Sequence, residues 1–375
     1  MTAGSPARPA AAYGRPRRVV LMNPGPVNTD EAVRAALGGP DMCHREPEFG
    51  ALMGRVRRKV TTLCGGGDGH TCVVLTGSGT SALEAAIASA PAPSGGLLAI
   101  DNGHYGKRMY EVASVHGIRC RRLELGWGTP ISMGLVEQTL AAEPDLTHVA
   151  VVHHETSTGM LNDVAAVAAV ARRNGCATIV DAISSVGAES LDITRDGIDW
   201  LVGTANKCLE GMPGLSFVCA SRPDFDGLLA HPPRVYSLDL NRHYQAQEKA
   251  QAPAFTPAIP LFYAFEAALD LALAEGVAAR GERYRRLAGR LRAGLAELGL
   301  QTLLAPEQQA VSLTAVRRPA AVPYRRLHET LKRDGFVIYA AQDQLSSDFF
   351  RLSTMGAMDE RDIDAFLAAL RRLLP

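Results

Sequence analysis

The sequence predicts an α/β fold: a mostly parallel seven-stranded sheet covered by helices, with a smaller α+β C-terminal domain. From about residue 70, short apolar runs alternate with longer amphipathic runs, the pattern of strands joined by helices. Most of the apolar runs lack polar alternation, as expected for strands buried on both faces. The chain has 375 residues, enough for two domains.

The elements of the main sheet follow from these runs. Predicted strands cover residues 72–76, 97–101, 119–125, 148–153, 177–181, 200–204 and 215–220. Helices are predicted between the earlier strands, at 80–90, 105–116, 134–142 and 164–174. No helix-length connection joins the last two strands, so one of them is predicted to be antiparallel.

The pattern changes after a long helical stretch, 259–298, which is interrupted near Gly276. Strands near 310–316, 335–339 and 349–353 then mix with helices at 324–333 and 360–374. We therefore divide the chain into a large domain, 19–265, and a small domain, 266–375. An alternative places the segment before about residue 25 on the small domain. Residues 1–18, rich in Ala, Pro and Arg, are predicted to be a disordered tail.

Net charge, the length of apolar runs and the spacing of cysteines argue against several classes of function. Lysine plus arginine and aspartate plus glutamate both total 39, so net charge gives no reason to expect nucleic acid or anionic lipid as a partner. No apolar run approaches the roughly 20 residues of a membrane span. The seven cysteines form no C-x-x-C pair, which argues against a zinc site or disulfide framework and indicates a reducing, cytoplasmic location. No metal is expected.

Lys207 is the most informative residue, because the chain has only five lysines among its 39 basic residues. It directly follows a strand-like apolar run, and a desolvated lysine can lose its proton and attack carbonyls. Asp181 ends another apolar run. Pyridoxal phosphate requires this pair, a lysine that bonds it covalently and an aspartate that pairs with its ring nitrogen. The alternative is that Lys207 caps a strand and Asp181 begins a turn.

A glycine-rich turn, Gly77 to Thr80, leads from a strand into a helix. Free backbone amides and the helix dipole make such a turn an anion site, and the hydroxyls of Ser78 and Thr80 add donors. The turn therefore suits a phosphate, although an ordinary strand–helix turn has the same pattern.

The same turn also fits a dinucleotide-binding pattern. Gly77, Gly79 and Ala82 match G-x-G-x-x-G/A, and Asp101 follows at the next strand end. A nicotinamide-dependent oxidoreductase is therefore an alternative. We favour a single phosphate, because such an oxidoreductase has no use for Lys207.

Further strand ends carry polar residues, and ligands of open α/β sheets bind at these ends. Tyr105 could stack on a flat ring or simply pack. His153, His154 and Glu155 are residue types that bind metals, but neighbours on an extended strand point to opposite faces, so the two histidines do not readily share one ion and cofactor contacts are favoured instead. Arg351 lies on an apolar strand, where it could clamp a carboxylate or phosphonate or bond an internal acid.

With these residues assembled, the chain resembles the fold-type-I aminotransferases dependent on pyridoxal phosphate, and most of all the 2-aminoethylphosphonate–pyruvate transaminases. The similarity extends from Leu21 to Arg351. The segments that carry it include Asp41-x-Cys43-x-Arg45, Thr76-Gly-Ser-Gly-Thr80, Asn102-Gly-x-Tyr-Gly-x-Arg108, Glu155-Thr-x-Thr-Gly, Ala205-Asn-Lys-Cys, Tyr236-Ser-Leu-Asp-Leu240 and Gly335-Phe-Val-Ile-Tyr339.

The resemblance implies a role for each matching residue. Lys207 would bond the cofactor and Asp181 would hold the proton of its ring nitrogen, while Ser78, Gly79 and Thr80 bind the phosphate. Tyr105 would lie on one ring face and Ile183 on the other, with Thr156 near the ring hydroxyl and Asn206 beside the lysine near the phosphate. Thr256 would reach the phosphate of a neighbouring subunit, and Arg351 would bind the carboxylate of pyruvate or alanine.

The implied reaction moves the amino group of 2-aminoethylphosphonate, or a related aminophosphonate, to pyruvate. Its products are phosphonoacetaldehyde and L-alanine, made by a homodimer with shared active sites. One segment departs from the family: Pro253–Pro260 lacks a basic residue and a Thr-His pair found in relatives. Alternative donors are therefore those of alanine–glyoxylate or serine–pyruvate transaminases. A cofactor-free binding protein would leave Lys207 and Asp181 unexplained.

Overall fold

The computed structural model describes residues 18–374. The tail predicted over residues 1–18 lies outside the described residues, apart from Arg18. The guanidinium of Arg18 forms an ion pair with Asp362 at 2.7 Å, so this residue contacts the C-terminal helix of the chain.

The secondary structure runs in strand–helix alternation through most of the chain. The strands are β1 (Val20–Leu21), β2 (His70–Thr76), β3 (Gly96–Asp101), β4 (Cys120–Glu124), β5 (Leu146–Val152), β6 (His154–Glu155), β7 (Met160–Leu161), β8 (Ala177–Asp181), β9 (Trp200–Thr204), β10 (Leu215–Ser221), β11 (Leu313–Arg317), β12 (Phe336–Val337), β13 (Tyr339–Ala340) and β14 (Phe349–Ser353). The helices are α1 (Glu31–Ala36), α2 (Pro47–Leu63), α3 (Gly79–Ser89), α4 (His104–Val115), α5 (Met133–Ala142), α6 (Val164–Arg173), α7 (Arg222–Gly227), α8 (Leu240–Tyr244), α9 (Ile259–Glu275), α10 (Val277–Glu297), α11 (Tyr324–Arg333) and α12 (Glu360–Arg371).

The central sheet has seven strands in the order β2-β10-β9-β8-β5-β3-β4. Strand β10 runs antiparallel to both of its neighbours, and the other pairs are parallel. This confirms the predicted mostly parallel sheet and its single reversed strand. The carboxyl ends of β2, β3, β5, β8 and β9 therefore lie along one edge of the sheet.

Both faces of the sheet are covered by helices. Successive residues of β2 alternate between two cores, with Val74 in the core formed with α2, α6 and α9 and Val73 in the core formed with α3 and α4. Because side chains alternate across a strand, a strand buried on both faces must be apolar throughout. The absence of polar alternation in the sequence has this cause.

Helices α1 and α2 and the β6–β7 hairpin were not predicted. Helix α2 buries Phe49, Leu52, Met53 and Val56 against the sheet core. These positions follow the i, i+3, i+4, i+7 spacing of an amphipathic helix, so the signal was present in the sequence. The hairpin follows β5 directly and is too short for any periodicity to show.

The C-terminal part contains a second, three-stranded antiparallel sheet, β11-β14-β13, with its own core. Strand β1 pairs in parallel with β12, so the start of the described chain lies beside this part. Helix α9 runs unbroken through residue 265, and the domain boundary placed there stays a prediction. Between residues 18 and 374, no helix combines the length and apolarity that crossing a membrane requires.

Candidate active site

The strand ends surround a cavity of about 170 Å³ at the carboxyl edge of the sheet. Its lining residues come from the ends of β2, β5, β8 and β9 and from the first turns of α3 and α4. They are Ser78, Gly79, Thr80, Tyr105, Arg108, Val152, His154, Asp181, Ile183, Ser184, Thr204, Asn206 and Lys207. Most of the predicted site residues are thus brought together, whereas Thr156, Thr256 and Arg351 are not among the lining residues.

Lys207 lies directly beyond β9, under the N-terminal segment of the chain. Its Nζ donates a hydrogen bond to the carbonyl of Pro24, and a Cβ at Gly25 would come within 2.8 Å of that Nζ. Burial is the largest influence on the amine and lowers its pKa to about 8, with Arg351 and Arg108 acting in the same direction. About a tenth of the amine is therefore neutral at pH 7, far more than for a lysine with the ordinary pKa.

Asp181 ends β8 and is 3% exposed. Its Oδ1 accepts a hydrogen bond from the backbone amide of Ile183 at 2.9 Å. Burial raises the pKa of the carboxyl to about 6, although the Ile183 amide and the positive charges of Arg108 and Lys207 oppose the shift. A cationic ligand group beside this carboxylate would remove that penalty.

The anion-binding end of the cavity is the start of α3. Ser78 is the N-cap residue, yet its side chain makes no capping hydrogen bond and so stays available to a ligand. Thr80 accepts a hydrogen bond from Arg108 Nη1 at 3.2 Å. A Cβ at Gly79 would lie 2.8 Å from the side chain of Ile183, so only glycine allows Ile183 to pack this closely.

Tyr105 is held in place by a carboxylate, Glu155, whose contact with Tyr105 the sequence did not predict. Glu155 is fully buried and accepts hydrogen bonds from the backbone amides of Tyr105 and Gly106, at 3.0 and 3.1 Å. A negative charge at the first turn of α4 satisfies amides that the helix leaves free. Gly103 makes this possible, because a side chain there would collide with Glu155.

Arg108 is a second residue to which the sequence assigned no role of its own. Its guanidinium lies 4.7 Å from the centre of the Tyr105 ring and also contacts His104 Nε2 at 3.0 Å. Its spacing from these residues, i+3 and i+4 on a helix, places all three on one face. That spacing was a usable signal. Arg108 adds positive charge beside the anion-binding turn at Thr80.

His154 presents an unpaired nitrogen in the same cavity. Its Nδ1 lies 3.0 Å from the carbonyl of Ser184, which can only accept, so Nδ1 carries the proton. Its Nε2 is buried and has no partner among the described residues. Burial lowers the pKa of the ring to about 3, so the imidazole stays neutral. His153 does not line the cavity.

Arg351 lies on β14 and is 4% exposed. Its guanidinium donates to the carbonyls of Ala340 and Thr156, both at 3.2 Å, and to the side-chain oxygen of Gln342 at 3.0 Å. Thr156 therefore joins Arg351 to the β6–β7 hairpin through its backbone. Burial lowers the pKa of the guanidinium, an effect that an arriving anion would oppose.

Thr256 lies apart from this cavity. It lines a separate cavity of about 250 Å³ together with Thr76, whose hydroxyl accepts a hydrogen bond from the amide of Ala258 at 3.1 Å. The Pro253–Pro260 segment thus borders the end of β2. Within one chain, Thr256 does not line the cavity that contains Lys207.

Asp101 bears on the dinucleotide alternative. It is buried at the end of β3 and forms an ion pair with Arg122 at 2.6 Å. A carboxylate engaged in this way is not free to bind the hydroxyls of a ribose, as a dinucleotide-binding acid must.

Known aminotransferases share the architecture of this chain. Solved aminotransferases of fold type I share the architecture over nearly the whole chain. An alanine–glyoxylate aminotransferase from Nostoc sp. matches with a TM-score of 0.91 and 25% identity over 97% of both chains. A pyridoxamine–pyruvate aminotransferase from Mesorhizobium loti matches with a TM-score of 0.88 and 29% identity, over 94% of this chain and 91% of that one.

The chain belongs to the class-V aminotransferases, whose family model matches residues 32–366. A 2-aminoethylphosphonate–pyruvate transaminase from Vibrio cholerae is 36% identical over 95% of this chain and 97% of its own. The prediction of an aminotransferase is confirmed, and the comparisons support neither an oxidoreductase nor a cofactor-free binding protein. As an aminotransferase, the protein takes an amine donor and a 2-oxo acid acceptor.

Proposed function

We propose that the protein transfers the amino group of 2-aminoethylphosphonate to pyruvate, which gives phosphonoacetaldehyde and L-alanine. The observation that carries the proposal is the convergence of Lys207 and Asp181 in one cavity beside an anion-binding turn. The choice of donor is supported by the name of the Vibrio cholerae relative, which aligns along nearly the whole chain.

The residues fit pyridoxal 5′-phosphate as the cofactor. Ser78, Gly79 and Thr80 would bind its phosphate at the start of α3, where backbone amides and the helix dipole favour an anion. Tyr105 and Ile183 would cover the two faces of its ring. Further contacts are proposed from Asn206, beside the lysine near the phosphate, and from Thr156, near the ring hydroxyl. The unpaired Nε2 of His154 leaves the cavity with acceptor capacity for a ligand.

When bound, pyridoxal phosphate supplies an electron-withdrawing ring that stabilises negative charge on the carbon beside the transferred nitrogen. Asp181 would hold the proton of the ring nitrogen, and the Asp181 carboxylate gains from this because burial otherwise disfavours its charge. Lys207 Nζ would bond the cofactor at rest. Once released, this amine would take the proton from the donor carbon and return it during the transfer. A pKa of about 8 suits an amine that must both accept and give a proton near neutral pH.

Arg351 is proposed to recognise the acid group of each substrate in turn. Its guanidinium is buried and is bonded only to neutral oxygens, so a phosphonate or carboxylate would be its first anionic partner. One arginine can then orient both the phosphonate donor and the 2-oxo acid, because the two bind at different stages of the reaction.

We further propose a cytoplasmic homodimer in which Thr256 of each subunit reaches the cofactor phosphate of the other. Two exposed aromatic residues support an interface here: Tyr236 is 70% exposed and Phe255, next to Thr256, is 37% exposed. Their rings lie 5.9 Å apart and form one patch. The seven cysteines are free, as expected in a reducing compartment. Sedimentation of the purified protein measures the assembly, and a monomer at micromolar concentration would contradict the shared site.

A titration of one half of the reaction tests the donor. The purified, coloured enzyme is mixed with 2-aminoethylphosphonate, alanine or serine without any 2-oxo acid, and its visible absorbance is followed. We expect the fastest loss of absorbance with 2-aminoethylphosphonate and recovery on addition of pyruvate. Equal rates with serine and 2-aminoethylphosphonate would defeat the proposed donor. A Lys207→Ala protein that still bound the cofactor covalently would defeat the proposed site.

A further inference from the structure

Two neighbouring residues of one turn contact the two ends of the candidate active site. The turn follows β13 and begins at Gln342, whose side-chain oxygen accepts a hydrogen bond from Arg351 Nη1 at 3.0 Å. The next residue, Asp343, bonds His104 Nδ1 through its carboxylate at 2.7 Å. His104 is the first residue of α4, which also carries Tyr105 and Arg108. The turn is thus connected both to the proposed acid-binding arginine and to the proposed cofactor side.

The protons along this connection can be assigned. Arg108 Nη2 lies 3.0 Å from His104 Nε2, and because a guanidinium can only donate, Nε2 must accept. His104 Nδ1 therefore carries the proton that it donates to Asp343. Arg108 in turn donates to Thr80 Oγ1 at 3.2 Å. An unbroken chain of hydrogen bonds runs from Asp343 through His104 and Arg108 to the anion-binding turn.

The backbone of Asp343 is unusual. Its φ is +43°, in the left-handed region that favours glycine, and its side chain is half exposed. Aspartate and asparagine tolerate this region better than other side chains, but it still carries a cost. The hydrogen bond that its carboxylate accepts from His104 Nδ1 offsets that cost. Because Asp343 directly follows Gln342, one peptide bond joins the residue that contacts Arg351 to the residue that contacts His104.

We propose that Gln342 is a positioning residue that occupies Arg351 until a substrate acid group replaces it, and that Asp343 and His104 are positioning residues that couple this exchange to Arg108. The inference rests on the proposed acid-binding role of Arg351. The carbonyls of Ala340 and Thr156 satisfy only part of the five N–H donors of the buried guanidinium, so a further partner lowers the cost of burying it. A neutral amide suits this purpose, because it offers the guanidinium one oxygen and no charge, whereas a carboxylate or phosphonate can pair with it through two charged oxygens.

Two variants at position 342 test the exchange in opposite directions. Binding of two unreactive acids, methylphosphonate and propionate, is measured by calorimetry on the cofactor-loaded dimer. Gln342→Ala removes the competitor, so we expect both acids to bind about threefold to tenfold more tightly. Gln342→Glu gives Arg351 a permanent carboxylate partner, so both should bind at least about tenfold more weakly. Weaker binding by both variants would mean a merely structural role and would overturn the proposal.

The proposed coupling between acid binding at Arg351 and helix α4 can be measured by tryptophan fluorescence. The chain has two tryptophans, and the ring of Trp127 lies 6.3 Å from that of His104, whereas Trp200 is buried against Phe225. We expect methylphosphonate to change the fluorescence of the parent enzyme, and Trp127→Phe to abolish that change. Asp343→Ala should reduce the change by at least about half while acid affinity stays within about threefold.

A conservative variant completes the test. Asp343→Asn keeps an acceptor for His104 and tolerates the left-handed backbone, so it should restore most of the fluorescence change that Asp343→Ala loses. A full signal in Asp343→Ala would show that the turn does not transmit the exchange. These measurements need no amine donor. An enzyme that binds both acids as described but does not react with 2-aminoethylphosphonate would refute the proposed donor and leave this inference standing.

Discussion

The two ends of the candidate active site are built differently. On the sheet side, Asp181 and Lys207 lie at adjacent strand ends, and buried Glu155 fixes the start of α4. On the C-terminal side, Arg351 is held by two backbone carbonyls and one amide oxygen. The sheet side depends on topology and charge, whereas the C-terminal side depends on neutral groups that a ligand can displace.

Other buried arginines make the contrast sharper. Arg57 forms an ion pair with Glu248, and Arg280 pairs with Glu275 at 2.6 Å. Within residues 18–374, no carboxylate lies within ion-pair distance of Arg351. A buried charge is normally paired, so an unpaired one indicates that its partner arrives from outside. The difference fits the proposed roles: the groups proposed to carry out the transfer are fixed by the sheet, whereas the arginine proposed to bind the substrate acid is held by neutral groups that a ligand can displace.

The largest effect is expected from Lys207→Ala, which removes the group proposed to bond the cofactor and to move the proton. Turnover should fall by at least about 10⁴-fold, and gel filtration should strip the visible absorbance from the protein. Lys107→Ala is the matched control, because Lys107 lies on the surface of α4 and pairs with Glu111. A Lys207→Ala enzyme within tenfold of the parent would mean that the sheet side does not carry the chemistry.

Asp181→Asn should separate activity from stability. We expect kcat to fall by about 10²- to 10³-fold, because an amide cannot stabilise a cationic ring nitrogen. The cofactor-free protein should become more stable. Its Asp181 has a folded pKa of about 6, above the unfolded value, so ionisation costs stability as pH rises from about 4 to 6.

The expected gain in stability of Asp181→Asn depends on pH. Above pH 6 the shift corresponds to about 3 kcal/mol, which Asp181→Asn avoids. Melting temperatures of the two cofactor-free proteins, measured at pH 4 and pH 7.5, should therefore differ more at the higher pH. A difference that shrinks as pH rises would contradict the proposed burial of an ionised Asp181.

Arg351→Gln tests the C-terminal side. Loss of a charge-assisted pair should raise the KM for pyruvate by about 100-fold and leave covalent binding of the cofactor intact. Arg57→Gln is the comparison, since it breaks a buried ion pair away from the cavity. It should lower stability by about 3–5 kcal/mol without a comparable change in KM. If both variants changed only stability, the distinction between the two kinds of buried arginine would be lost.

Glu155→Gln should have the smallest effect. The amide keeps the size of the side chain, but only one of its two end atoms can accept, whereas Glu155 accepts through both oxygens, from the amides of α4 and from Ser157. We expect about 1–3 kcal/mol less stability and about tenfold weaker cofactor retention, because Tyr105 is less well held. Cofactor release during dialysis measures the second effect. Unchanged retention would show that Tyr105 does not depend on Glu155.

The residues that sequence reasoning found are those whose position follows from topology. Parallel strands place their carboxyl ends at one edge, so the strand pattern by itself predicts that Lys207 and Asp181 meet. Glu155 could not be assigned to Tyr105, 50 residues away, because their contact depends on the unpredicted β6–β7 hairpin. The pairing of Asp343 with His104 spans 239 residues and depends on one strained turn.

The partners of Arg351 were unpredictable for a related reason. Its position on an apolar strand identified it as a buried charge, but two interpretations stayed open: a ligand clamp or an internal ion pair. Only the packing of β14 against the hairpin shows that its neighbours are neutral oxygens. The sequence thus identified Arg351 as a buried charge, and its tertiary contacts favour a ligand clamp over an internal ion pair.

The N-terminal segment that lies over Lys207 has a consequence for the order in which parts of the chain can fold. Pro24 and Gly25 contact the lysine side chain. The strand just before them, β1, pairs in parallel with β12, which lies near the opposite end of the chain. The amide of Ser353 also bonds the carbonyl of Met22 at 2.7 Å. During synthesis on a ribosome, the first residues therefore wait until almost the last have emerged. Until then Pro24 and Gly25 cannot lie over the amine, and a carbonyl-bearing cofactor would reach it without having to displace them.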